Sequence, residues 1–87
     1  MPSPRPLERI ALSAIKQDGE TFTGRKYHDV IAKIYKETGK APTGEPGFET
    51  DTGRFVDKRE AAQIAYRAGQ TIEKLERLDD IDDLYQP

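Results

Sequence analysis

An α+β fold is what this sequence predicts: a small β-sheet built from two hairpins and covered by two or three helices. Three observations carry that expectation. Asp18-Gly19 stands between two strand-competent segments, and both positions of such a pair tolerate the positive φ of a tight hairpin turn. Tyr27, Val30, Ile31, Ile34 and Tyr35 form an i, i+3, i+4, i+7, i+8 apolar stripe, the pattern of an amphipathic helix. Residues 47–62, "GFETDTGRFVDKREAA", read as two short strands, a turn and a helix start. Strands that alternate with helices in so short a chain call for a small sheet with helices packed on it.

The elements follow in order. "MPSPRP" places three prolines in six residues, and residues 1–8 read as a flexible arm. In the next stretch Leu7, Ile10, Ala11, Ala14 and Ile15 fall at helical spacing, whereas Ile10, Leu12 and Ala14 alternate as a strand does. The Asp18-Gly19 turn and the strand residues Thr21, Phe22 and Thr23 tip the reading to a hairpin, with strands over residues 9–17 and 20–23. A helix over residues 25–38 starts at a cap supplied by Thr23 or Gly24 and ends before Gly39. "KAPTGEPG" is a loop by its prolines and glycines. Phe48–Thr50 and Arg54–Val56 are short strands around the turn Asp51-Thr52-Gly53. Asp57 caps a second helix over residues 58–68, with Glu60 completing a capping box and Gly69 ending it. Its apolar side is mostly alanine, which allows close packing. Ile72, Leu75 and Leu78 leave room for a further helix over residues 70–78. The organisation expected is one domain over residues 9–78, followed by an acidic tail at residues 79–87.

Composition bounds the function. In a chain of 87 residues, hydrophobic and charged residues each make up 34%, a lean core for one small domain. There are no cysteines to staple it. A homodimer or higher homo-oligomer is therefore expected, since a second copy offers apolar cover. No stretch has the length of a membrane span or of a signal peptide's apolar region, so a cytoplasmic location and no membrane partner are expected. Net charge is −2, which argues against general nucleic-acid binding. Residues 1–60 hold 11 Lys or Arg against 10 Asp or Glu, and residues 61–87 hold 3 against 6. The body is thus close to neutral and has room for a local basic site.

Catalytic and metal signatures are weak. His28 is the single histidine, and no serine or cysteine stands in a nucleophile pattern. "DDIDD" lacks the glycine turn and bidentate glutamate of an EF-hand loop, and reads as a solvated face. Neither "TGRK" nor "TGEPG" matches a phosphate-binding loop. The expectation is a protein that is not an enzyme and carries no cofactor and no metal. Two helix starts do suit an anion: "TGRKYH", with Arg25, Lys26 and His28, and "VDKRE", with Lys58 and Arg59 in the first turn. Cations there oppose the helix dipole unless an anion or partner offsets them. The bland alternative is solvated cations, with Asp57 and Glu60 as counter-charges. Phe48, Phe55, Tyr27 and Tyr35 offer rings to stack a base or, equally, to fill the core.

"TGRKYHDVI" followed by "GFETDTGRFVDKREAAQIAYRAGQ" resembles a family of small phage-encoded proteins that includes the anti-Thoeris sponges. The resemblance covers residues 9–70. It implies a phage anti-defence protein that binds and sequesters a cyclic nucleotide immune signal, a cyclic ADP-ribose isomer or a cyclic oligonucleotide, without cleaving it, in the cytosol of the infected host. The ligand would lie near a subunit interface. By the same resemblance Arg25 would contact phosphate or stack on the base, with His28 as a secondary contact. Phe48 would be the stacking platform, and Asp57 would bond a ribose hydroxyl or a base edge. Thr52, Arg54, Phe55, Lys58 and Arg59 of the hairpin–helix corner would complete the site. Lys58 stands where the family pattern has arginine, and the family's C-terminal region is longer than "LDDIDDLYQP". Two other classes stay open: a protein–protein inhibitor of a host defence complex, anti-CRISPR-like, that uses the acidic tail, and a phosphodiesterase-like enzyme.

Overall fold

Asp18 and Gly19, at φ 52° and 77°, turn the chain between the first two strands. These are β1 (Ile10–Gln17) and β2 (Glu20–Gly24). Residues 7–84 are described by the computed structural model, and the outer parts of the expected arm and tail, residues 1–6 and 85–87, lie outside them. The elements that follow are α1 (Tyr27–Thr38), β3 (Glu45–Thr50), β4 (Phe55–Asp57), α2 (Lys58–Arg67) and a single 3-10 turn, Ile81–Asp83. The strands form one antiparallel sheet in the order β2-β1-β3-β4, so the β1–β3 pairing joins the two hairpins into one surface. The α+β architecture is the one expected: two hairpins and two helices, with the 3-10 turn as a third short helical piece.

Register decides which side chains meet. Ile15 stands opposite Phe22, and Ser13 opposite Phe48, which in turn faces Val56. Side chains alternate along a strand, so these residues share one face of the sheet. Both helices cover that face. Val30 and Ile34 of α1 pack with Ile15, while Ala61, Ala62, Ile64 and Ala65 of α2 pack with Phe48, Val56 and Ile10. Tyr27 touches both clusters and joins them. The alanines let α2 lie close to the sheet. A slip in register between Ile10 and Leu12 marks a bulge, which mixes the two periods in that stretch of sequence.

Several elements differ from expectation, among them β4, which runs Phe55–Asp57 rather than Arg54–Val56. The first helix starts at Tyr27 rather than residue 25, because Lys26 is still extended at φ −130°, ψ 159°, and no side chain caps it. The strand β3 extends back to Glu45, into the stretch read as a loop. The second helix ends one residue early, at Arg67. Residues 70–78 form no helix. Gly69 adopts a left-handed φ of 74° and stops α2, and the Gln70 side chain then donates to and accepts from the Ile10 backbone. That segment is held by a backbone bond from the Leu78 N–H to the Lys58 carbonyl, 2.8 Å. Leu78 and Leu84 are buried in the core beside α2, so residues 79–84 lie against the body while their four aspartates stay exposed.

Candidate functional site

The two helix starts that the sequence marks as anion sites are built differently. At α2, Asp57 is the cap: its Oδ1 accepts the Glu60 backbone N–H at 2.8 Å. The return half of the expected capping box is absent, because the Glu60 carboxylate turns to Arg54 instead. The Arg54 guanidinium donates to Glu60 Oε2 at 2.8 Å, and through Nε and Nη2 to Glu8 at 3.2 and 2.8 Å. Thr50 and Thr52 donate their hydroxyls to the same Glu8 oxygen at 2.7 and 2.8 Å. These bonds, Arg54 first and then the two threonines, hold the Glu8 carboxyl down at a pKa of about 2. The guanidinium is pushed up in turn by Glu8 and Glu60. Residue 8, counted with the flexible arm, is thus the centre of a network that spans arm, hairpin and helix.

Lys58 is also occupied. Its Nζ lies 3.7 Å from Asp79 Oδ1 and 5.7 Å from the centroid of the Tyr27 ring. The Tyr27 hydroxyl donates to the Gly47 carbonyl, and its pKa is raised, by burial first and then by Asp80 and Asp79. Phe48 is fully buried against Tyr27 in an edge-on arrangement, with ring centroids 5.6 Å apart. A base cannot stack on it without opening the core, so the reading of Phe48 as a stacking platform is corrected: it is the largest of the fully buried side chains. Phe55 points to the other sheet face, beside Gly47, with Lys16 Nζ 5.9 Å from its centroid. Thr52, Arg54, Asp57 and Lys58 are therefore brought together at one corner, and each is spoken for by a partner in the chain. Arg59 is exposed beside them.

The start of α1 is open. Lys26 occupies the cap position, and no side chain bonds the first helical N–H groups. Arg25 and Lys26 precede the first turn, which itself carries Asp29. Arg25, Lys26, Ala11, Leu12, Ile81 and Asp82 line a cleft of about 820 Å³. Lys26 Nζ is 3.3 Å from Asp82 Oδ2, whereas Arg25 makes no ion pair among the described residues. His28 is 78% exposed and lies 3.2 Å from Asp29 on the outer side of the helix. The Arg25 cleft and the hollow beside Arg54 share no lining residue, and Phe48 is in neither. Ala11, Leu12, Ile81 and Asp82 are cleft residues that sequence reasoning missed. The signal available was Ile81 and Leu84, two apolar residues inside the acidic stretch, which bring Asp82 back onto the body.

A family model described as "Phage T4 y16D protein" matches residues 9–86. The chain belongs to that family. The span takes in every strand and helix and the 3-10 turn, so membership of the phage T4 y16D family applies to the whole folded body. No curated protein and no solved structure matches the chain. Among the described residues no helix is long and apolar enough to cross a membrane, and no group of three His, Cys, Asp or Glu side chains is placed to hold a metal ion.

Proposed function

We propose that this phage-family protein binds and sequesters a cyclic nucleotide immune signal, a cyclic ADP-ribose isomer or a cyclic oligonucleotide, in the host cytosol and without cleaving it. It acts as an anti-defence sponge of the anti-Thoeris kind, and it assembles as a homodimer or higher homo-oligomer. The observation that carries the reading is Arg25. Among the described residues it has no ion-pair partner, and it stands at a helix start without a side-chain cap, on the wall of a cleft large enough for a nucleotide. Backbone N–H groups and a guanidinium together suit phosphate oxygens. Leu12 and Ile81 supply apolar walls for a base, and Asp82 supplies an acceptor for a ribose hydroxyl. The likeness of "TGRKYHDVI" to the sponge pattern supports the same residue.

The test is a thermal-shift panel of ADP-ribose, cyclic ADP-ribose isomers, and cyclic di- and trinucleotides. A ligand at a hundred times its dissociation constant adds about 2.7 kcal/mol. In a domain of this size that moves the midpoint by on the order of ten degrees. One cyclic nucleotide should give such a shift, and it should be recovered intact from heat-denatured protein. Recovery of hydrolysed ligand would replace sequestration with phosphodiesterase chemistry.

A further inference from the structure

A strip of cations around one tyrosine runs along the side of α2 that faces away from the sheet. Arg59, Gln63, Tyr66 and Arg67 stand at i, i+4, i+7 and i+8, and all four are exposed, Tyr66 by 44%. The opposite side of the helix carries Ala61, Ala62, Ile64 and Ala65 into the core. Lys74, from the segment after the helix, shares with Gln63, Tyr66 and Arg67 a hollow of about 440 Å³. Among the described residues no carboxylate lines that hollow. Arg59, Arg67 and Lys74 make no ion pair among the described residues, although Lys58 and Glu60 on the same helix both do. Glu8 and Glu60 line a separate hollow with Arg67, and both are engaged by Arg54.

Local structure accounts for part of this strip only. Arg67 in the last turn suits the helix dipole, but Arg59 in the first turn opposes it. Tyr66 lies outside the core cluster, with 44% of its surface exposed. Unpaired cations on both sides of an exposed aromatic ring are what a strand of unpaired nucleotides requires: phosphates for the cations and a base for the ring. Arg59 and Arg67 are about 12 Å apart along the helix axis, too far for one phosphate group and within reach of two phosphates on non-adjacent nucleotides of a strand.

We propose that this face of α2 binds a short stretch of single-stranded nucleic acid, with a base stacked on Tyr66, backbone phosphates held by Arg59, Arg67 and Lys74, and Gln63 donating to the backbone between them. The contact is local and spans a few nucleotides, which is compatible with a net charge of −2 on the chain. It lies outside the Arg25 cleft and does not depend on the sponge reading.

Fluorescence anisotropy of a labelled oligothymidine against the full chain tests it. The wild type should bind at low salt, with affinity falling linearly in log salt. Tyr66→Ala should weaken binding by about 5-fold or more, the loss expected for one stacked base. The double variant Arg59→Gln, Arg67→Gln should weaken it further and flatten the salt slope, whereas Lys40→Ala, in an exposed loop, should bind as wild type. A strand of abasic residues should bind more weakly than oligothymidine. All the altered side chains are exposed, so unchanged melting by circular dichroism keeps the comparison clean. Absence of binding at low salt, equal binding by the Tyr66 and arginine variants, or equal affinity for the abasic strand would each overturn the proposal.

Discussion

The starts of α1 and α2 read alike in the sequence and differ in the fold. Each follows a strand, and each sets two cations at the head of a helix. At α2 Asp57 caps the N–H groups, Glu60 and Glu8 take Arg54, and Asp79 takes Lys58, while Arg59 makes no ion pair among the described residues. At α1 no side chain caps the helix, and the Lys26–Asp82 ion pair leaves Arg25 without one among the described residues. A charge cluster is therefore no guide to a ligand site until its counter-charges have been found. Those of Arg54 lie 46 residues earlier at Glu8 and six residues later at Glu60.

The largest effect should come from beneath the α2 corner. Phe48→Ala removes a fully buried ring that packs on Tyr27, and should cost about 3–5 kcal/mol, read by urea denaturation. A loss within 0.5 kcal/mol would return Phe48 to the list of ligand-facing residues. Asp57→Ala removes the cap of α2 and should cost about 1 kcal/mol, with no substitution at the start of α1 showing a comparable capping loss.

The Glu8 network makes a pH-dependent contribution of defined sign. The folded-state pKa of Glu8 is about 2, below its ordinary value of 4.5. The folded protein thus holds fewer protons at this group than the unfolded chain does. Its stabilisation is fully present above the ordinary value and is lost as pH falls from there through about 2. Melting temperature should drop over that window, and Glu8→Gln should flatten the drop without changing the profile above it. The smallest effect concerns the open start. Asp82→Asn removes a negative charge from the cleft and frees Lys26, and should raise affinity for a cyclic nucleotide a few-fold, more at low salt than at high. Unchanged affinity would place the ligand away from both Lys26 and Asp82.

What the sequence made legible was local. The Asp18-Gly19 hairpin, the α1 helix, the Asp57 cap and the left-handed Gly39 depend on neighbours in the chain, and each is found in the fold, although Ile31 and Tyr35 of the α1 stripe stay exposed. The β1–β3 pairing that joins the hairpins, the Gln70 bridge to Ile10 and the Glu8–Arg54 pair are contacts between distant residues, which no periodicity records. The same limit governed the site. Arg25 was picked out by its place at a helix start, but its cleft needs Leu12 from a bulged strand and Asp82 from an aperiodic segment that Leu84 anchors. Phe48 was misread because an aromatic in a short strand looks available until its register partners Ser13 and Val56 place it on the covered face.

The difference between the two helix starts is tested most directly by thermal shift of the wild type and of Arg25→Ala against the cyclic nucleotide panel. Arg25 is exposed, so both proteins should melt at the same temperature without ligand. One cyclic nucleotide should then raise the wild-type midpoint by on the order of ten degrees and leave Arg25→Ala nearly unmoved. An equal shift in both proteins would place the ligand elsewhere, and no shift with any member of the panel would contradict the account of the open helix start as a nucleotide site.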